Sequence, residues 1–136
     1  MVLHVELVSP ESIVFSGEAT SVIARTTAGE IAFLTGHVPF VGVLSGKSAV
    51  RIAMVDGPVV VVAVHSGFVE VSHDNVTILS DVAELADAID VPRAQAAKER
   101  AETRLRENAD DEEAQAALLR AELRLSVASA TTTAAH

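Results

Sequence analysis

Apolar and polar residues alternate along the first part of the chain. Leu3, Val5 and Leu7 share one face and His4 and Glu6 the other, the pattern of a half-buried strand. Ser9-Pro10-Glu11 breaks it, and Ile13-Val14-Phe15 opens another that stops at Ser16-Gly17. Further short strands are predicted over Thr20–Thr26, Glu30–Leu34, Phe40–Leu44, Ser48–Val55, Val59–Val64, Phe68–Ser72 and Val76–Ser80. Between them lie turn residues: Ala28-Gly29, Ser45-Gly46, Asp56-Gly57-Pro58 and His73-Asp74-Asn75. Strands at this spacing with no helical period between them imply an antiparallel sandwich or barrel. Val59–Val64 is apolar on both faces, which places it centrally.

The period then changes. Asp90 is a good N-cap, and Pro92 falls in a first turn that misses no backbone N–H. Ala94, Ala97, Ala101 and Leu105 recur at helical spacing until Asn108-Ala109 interrupts them. Asp110 with Glu113 three residues on reads as a capping box for a second helix. Its seam is Ala114, Ala117, Leu118, Ala121, Leu125 and Ala128. A short connection makes the pair an antiparallel hairpin. Ser129 to His136, rich in Ala, Thr and Ser, is expected to fray. The domains are therefore 1–85, all β, and 86–136, helical.

An alanine seam lets helices approach closely, yet each methyl contributes only about 0.8 kcal/mol against roughly 1–2 kcal/mol of backbone entropy per ordered residue. Such a hairpin needs another surface. Leu119 and Leu123 lie about 120–180° around the second helix from its seam. Either the β domain or another protein must cover that second stripe.

Charge changes the picture by exclusion. The 136 residues carry a net charge of −9 with pI near 4.9, which argues against nucleic-acid binding, a task for clustered Lys and Arg. Four Phe with no Trp or Tyr leave little for bases to stack on. The absence of Cys removes disulfides, thiolate metal sites and Cys nucleophiles, and fits a reducing compartment. The longest apolar run, Val59 to Val64, falls far short of the roughly 20 residues that span a bilayer. No signal peptide is visible. An acidic, soluble, cytosolic protein without lipid insertion is expected.

Little of the chain reads as catalytic machinery. Gly42-Val43-Leu44-Ser45-Gly46-Lys47-Ser48 has three residues between its glycines where a phosphate loop needs four, and a strand follows it rather than a helix. His4, His37, His65, His73 and His136 show no metal-ligand spacing, and no Gly-x-Ser-x-Gly turn is present. No catalytic residue and no metal site are expected. Arg93, Arg100 and Arg104 lie within about 40° on one side of the first helix, and Arg120 and Arg124 are i, i+4 on the second. They form either a solvated face or a surface for an anionic partner, protein or phosphate.

The stretch Thr26-Thr27-Ala28-Gly29-Glu30-Ile31-Ala32-Phe33-Leu34-Thr35-Gly36-His37-Val38-Pro39-Phe40 resembles the epsilon subunit of bacterial F-type (rotary) ATP synthases. That family carries Gly-Glu-(Ile/Leu)-Gly-Ile-Leu-Pro-Gly-His-Ala-Pro-Leu there. Val8-Ser9-Pro10 with Phe15-Ser16-Gly17, Gly67 to Val71, and Asn75 to Asp81 agree in order. Ala32, Thr35 and Ser66 depart from the pattern where glycine, proline and glycine are usual.

The resemblance implies an all-β antiparallel sandwich followed by a C-terminal antiparallel α-helical hairpin, in a non-catalytic rotor subunit that couples proton flow through the membrane ring to ATP synthesis. It implies a gamma subunit and the polar loops of the c-ring as partners at the sandwich, with Glu30 and His37 at that base. The location implied is peripheral, on the cytoplasmic face of the bacterial cell membrane. The hairpin would lie folded on the sandwich or extend to block ATP hydrolysis, with Arg120 and Arg124 then facing acidic surfaces of the alpha/beta catalytic head. Ile89-Asp90-Val91-Pro92-Arg93-Ala94 matches a motif that binds ATP in some relatives. Arg93 and Arg100 would hold phosphates, Asp90 the base or sugar, and Glu84 a further contact. No cofactor is required, ATP being a regulatory ligand. The alternative function is a nucleotide-sensing module built on Asp90, Arg93 and Arg100.

Overall fold

The computed structural model describes residues 2–47 and 49–134. Seven strands come first: β1 (Leu3–Val8), β2 (Ile13–Thr26), β3 (Gly29–Phe33), β4 (Phe40–Leu44), β5 (Val50–Met54), β6 (Val59–Ser72) and β7 (Asn75–Leu85). A 3₁₀ turn at Ala86–Ala88 leads to helices α1 (Val91–Glu107) and α2 (Glu112–Ala134).

The strands run in the order β1-β7-β6-β4-β2-β3, with β5 joining β2 to β6 and β1 also pairing β2. Long strands pass through both layers of the sandwich. β2 pairs β1 with its first half, and β3 and β5 with its second. β6 pairs β5 with its first residues and β4 with its last. Two breaks expected from the sequence therefore turn out to be bends. Ile13–Phe15 and Thr20–Thr26 belong to one strand, as do Val59–Val64 and Phe68–Ser72. Each strand changes partner at a register shift, near Ala19–Ser21 and near Val64–Phe68, without leaving the sheet. One pairing, β1 with β7, is parallel within an otherwise antiparallel sheet. Of the expected strand Ser48–Val55, Ser48 lies outside the described residues.

The alternation reads out as burial. Leu3, Val5, Leu7, Phe33, Ile52, Val62, Val64, Val69, Val71, Val76 and Ile78 form the interior of the sandwich. Val61 and Ala63, alternating with Val62 and Val64, are buried on the opposite face, where Ile89, Leu123 and Val127 cover them. Val59–Val64 is apolar on both faces because its last four residues are covered on both, by core on one side and by α2 on the other.

Asp90 caps α1, its carboxylate accepting from Arg93 N at 3.1 Å, with Pro92 in the first turn. Of the expected seam Ala94, Ala101, Ala114 and Ala121 are buried, whereas Ala97 is half-buried on the wall of a cavity and Ala128 packs against the cluster between α2 and the sandwich. The second cap lies one residue later than expected: Asp111, not Asp110, accepts from Ala114 N at 3.0 Å. Asp110 is held instead through its own N–H by Asn108 Oδ1. Residues 129–134, expected to fray, continue α2. Alanine favours the helix, and Ala128 and Ala130 pack against the cluster under α2. Residues 135–136 of that expected tail lie outside the described residues.

Candidate functional site

α2 lies across the β6 face, and the end of β7 meets both helices beside it. Glu84 on β7, Asp90 at the α1 cap, Arg93 and Arg100 on α1 and Arg124 on α2 line a cavity of about 410 Å³. Ala94 and Ala97 form its α1 wall, and their single methyls leave the room. The four residues singled out for a nucleotide are thus brought together by the fold. Arg104, on the same side of α1 by helical arithmetic, is drawn away. It makes a two-pronged pair with Asp111 (2.9–3.2 Å), which closes the interhelical turn. The Ala114 N–H together with this guanidinium holds the Asp111 carboxyl below its ordinary value.

Arg124 is turned inward. Its Nε donates to Glu84 Oε1 at 2.6 Å, and His65 Nε2 donates to the same oxygen at 3.1 Å. The sequence suggests Arg124 for an outside surface and leaves His65 among scattered histidines. No local pattern signals the contact: it follows from the β6–β7 register, in which Ala63 pairs Glu84 and His65 lies two residues on. Arg120 is exposed and lies outside the lining of this cavity.

These contacts set the charges. Burial opposes ionisation of Glu84, but the Arg124 and His65 hydrogen bonds outweigh it and keep the carboxyl below its ordinary 4.5. Burial, with Arg124 and Arg120 nearby, pushes His65 below its ordinary 6.5 despite the Glu84 bond. With Nε2–H given to Glu84, His65 Nδ1 is buried without a partner among the described residues, so a second proton would find no acceptor among them. Both groups bind protons less readily docked than released. Docking of the hairpin is therefore expected to weaken first as pH falls from about 6.5 toward the lowered His65 value, and again as it falls from about 4.5 through that of Glu84. Hydrogen exchange of α2 amides measured from pH 7.5 to 4 reads this, and His65→Gln should remove the upper step alone. A profile flat between pH 7 and 5.5 overturns the assignment to His65.

The two residues implied at the sandwich base are not neighbours. Glu30 stands beside the β2–β3 turn, 3.4 Å from Arg25. His37 lies past the other end of β3, its ring edge-on to Phe33 with centroids 5.1 Å apart and its Nδ1–H donating to Val38 O. Asp74, in the His73-Asp74 turn where both φ angles are positive, accepts from Gly36 N at 2.8 Å and ties the His37 loop to the β6–β7 turn. A separate apolar groove of about 650 Å³ runs between β4, β6 and β7, with Val43, Phe68 and Leu79 on its walls. Phe68 is 52% exposed, unusual for a Phe with no partner over it.

Among the described residues no cluster has metal-ligand character and no helix is long and apolar enough to cross a membrane. The fold is a β-sandwich with a helical hairpin docked on it and a cation-lined cavity where the two meet. Residues 2–86 match the family described as ATP synthase, Delta/Epsilon chain, beta-sandwich domain, and residues 87–129 its long alpha-helix domain. The chain belongs to the ATP synthase delta/epsilon chain family, on the epsilon side as its bacterial relatives are named. It is 49% identical over 102 residues to the ATP synthase epsilon chain of Streptomyces griseus, covering 74% of this chain and 81% of that one. It is 46% identical over 130 residues to that of Halalkalibacterium halodurans, covering 93% and 96%. A chain in the Euglena gracilis mitochondrial ATP synthase structure (OSCP/F1/c-ring) shares the fold, with TM-score 0.68 and 22% identity over 99% of this chain and 82% of that one.

Proposed function

We propose that this chain is a rotor subunit in the central stalk of a rotary ATP synthase, on the cytoplasmic face of the membrane, with a hairpin that restrains ATP hydrolysis when it extends. The single observation that carries the regulatory part is the way the hairpin is docked. It rests on the sandwich through a small cluster (Ile89, Leu123 and Val127 on Val61 and Ala63) and one partly exposed Glu84–Arg124 pair. Two packings of such an element can differ by only a few kcal/mol.

The apolar β4–β6–β7 groove suits a gamma subunit, because exposed Phe68 and Leu79 gain by being covered. Glu30 and the His37 loop are offered to the c-ring loops at two separate points of the base. In the extended state Arg120 and Arg124 meet the acidic surfaces of the alpha/beta head, and Arg124 must first leave Glu84.

ATP is the regulatory ligand of the hairpin cavity. Arg93, Arg100 and Arg124 supply cations for the phosphates. Asp90 keeps one carboxylate oxygen for a ribose hydroxyl while the other caps α1. Since α1, α2 and β7 all wall this cavity, a bound nucleotide holds the hairpin down.

The test is add-back to a bacterial ATPase head stripped of its epsilon subunit, following capture and hydrolysis together. Stoichiometric capture with falling hydrolysis is expected, and ATP is expected to relieve the inhibition. Capture without inhibition removes the regulatory reading, and no capture removes the stalk role. Calorimetry on the isolated chain separates the ligand: Arg93→Ala is expected to weaken ATP binding about tenfold or more, the value of one charge-assisted hydrogen bond. No heat at millimolar ATP removes ATP and leaves the stalk role standing.

A further inference from the structure

The β-sandwich segment is poor in cations. Residues 1–84 contain nine acidic residues and only three basic ones, Arg25, Lys47 and Arg51. All three line one pocket of about 290 Å³, on the flank of α2 that faces away from the nucleotide cavity. They come from three separate places: Arg25 from β2, Lys47 from the β4–β5 turn and Arg51 from β5. Scattered solvating charges on an acidic domain would be spread to offset its carboxylates, whereas these are gathered where just one carboxylate, Glu30, also lines the wall.

The geometry that gathers them is specified by the sheet. Arg51 pairs Ile23 across the β2–β5 ladder, and Arg25 lies two residues beyond Ile23 on the same face. Arg25 is steadied by Glu30, whose Oε2 accepts from its guanidinium at 3.4 Å. Lys47 is placed by a pinned turn. Its N–H donates to Ser45 Oγ at 3.2 Å, and Gly46 before it has φ +72° with its α-carbon hard against the His65 carbonyl, where no Cβ fits. Lys47 and Arg51 have no carboxylate partner among the described residues. The fourth wall is Ser126 of α2, an exposed residue lining the same pocket.

We propose that this pocket is a second anion site, for a compact phosphoanion: inorganic phosphate or a short polyphosphate. Three cations around one concavity match several oxygens of such a ligand, and guanidinium forks match them in pairs. Gly42 to Ser48 is not a phosphate loop, since β5 and not a helix follows, yet Lys47 from that stretch still meets an anion through its side chain. Because Ser126 belongs to the hairpin and the cations to the sandwich, a bound anion is shared between the two. The pocket is independent of the ATP cavity and does not rest on that assignment.

The test uses the full chain carrying Arg93→Ala and Arg100→Ala, to silence the first cavity. Inorganic phosphate and tripolyphosphate are titrated separately at constant ionic strength and followed by amide shifts of residues 25, 47, 51 and 126. Saturable shifts at these residues are expected, with the two titrations telling which phosphoanion is preferred. Lys47→Gln and Arg51→Gln, both at exposed positions, are each expected to weaken binding severalfold and together more than tenfold. The proposal is overturned by no saturation at millimolar concentrations of either anion. It is equally overturned by binding that Lys47→Gln and Arg51→Gln leave unchanged, or by shifts that an equal ionic strength of chloride reproduces.

Discussion

Leu123→Asp is expected to detach the hairpin while leaving the sandwich folded. Leu123 is 3% exposed and sits with Val127 on Val61, Ala63 and Ile89. Removing a buried leucine side chain costs about 2–5 kcal/mol, and an unpaired carboxylate left in that cluster adds desolvation, so a loss above about 4 kcal/mol is expected. Little else opposes release. The Arg124–Glu84 pair is short at 2.6 Å, but both side chains are more than a quarter exposed, and such pairs contribute modestly. Once released, the hairpin keeps only its Ala94/Ala101/Ala114/Ala121 seam and the exposed Arg104–Asp111 clasp, too little burial to hold two helices in order on their own. Native-state hydrogen exchange reads the outcome: α1 and α2 amides lose protection together while β1, β6 and β7 keep theirs. A cooperative loss across all strands would mean that hairpin and sandwich are one unit, which is incompatible with a hairpin that moves during function. The same variant should bind ATP more weakly, since the α2 and β7 walls of the cavity part from each other.

The hairpin shows how far the sequence reaches. The alanine seam is visible because helical periodicity is local, and Asp90 is identifiable because an N-cap is set by its immediate neighbours. Glu84, Asp90, Arg93 and Arg100 are singled out through the family resemblance, and the fold brings the four around one cavity. What the sequence leaves open is which surface takes the second stripe of α2. The structure divides that stripe: Leu123 is buried on β6, whereas Leu119 is 48% exposed. Helical phase alone cannot separate them, because the answer depends on where the axis of α2 crosses the sheet.

Long-range pairing hides the remainder. The bends in β2 and β6 look like strand ends because Gly17, Ser66 and Gly67 are turn-like residues, and only the partner strands show that the ladder continues. The His65–Glu84–Arg124 contact joins residues 19 and 40 positions apart, beyond any periodicity. The gathering of Arg25, Lys47 and Arg51 is likewise a product of β2–β5 register. Their scarcity is plain in the sequence, but their meeting is not.

Gly67→Val is expected to destabilise the whole sandwich. Gly67 has φ +154° at the bulge where β6 shifts register against β7, and a Cβ there would be driven into the Leu79 carbonyl, which is backbone and cannot swing aside. Ser80 marks how tightly the site is built: 6% exposed, its hydroxyl donates to the Ser66 carbonyl and accepts from Val82 N at 3.2 Å, serving groups the bulge leaves out of the ladder. Backbone strain and overpacking each cost roughly 1–3 kcal/mol, so a combined loss of about 3 kcal/mol or more is expected. For a β domain of this size that lowers Tm by roughly 10–20 °C. Gly57→Val provides the comparison, because Gly57 has φ +130° with nothing within 4 Å of the added Cβ. It bears the backbone strain without the clash and should lose about half as much or less. Equal losses at the two positions would assign the effect to strain alone. A near-neutral Gly67→Val would mean that β6 and β7 can separate at the bulge. Strands β6 and β7 would then no longer hold His65 and Glu84 in contact, and the pH response of the hairpin should flatten with them.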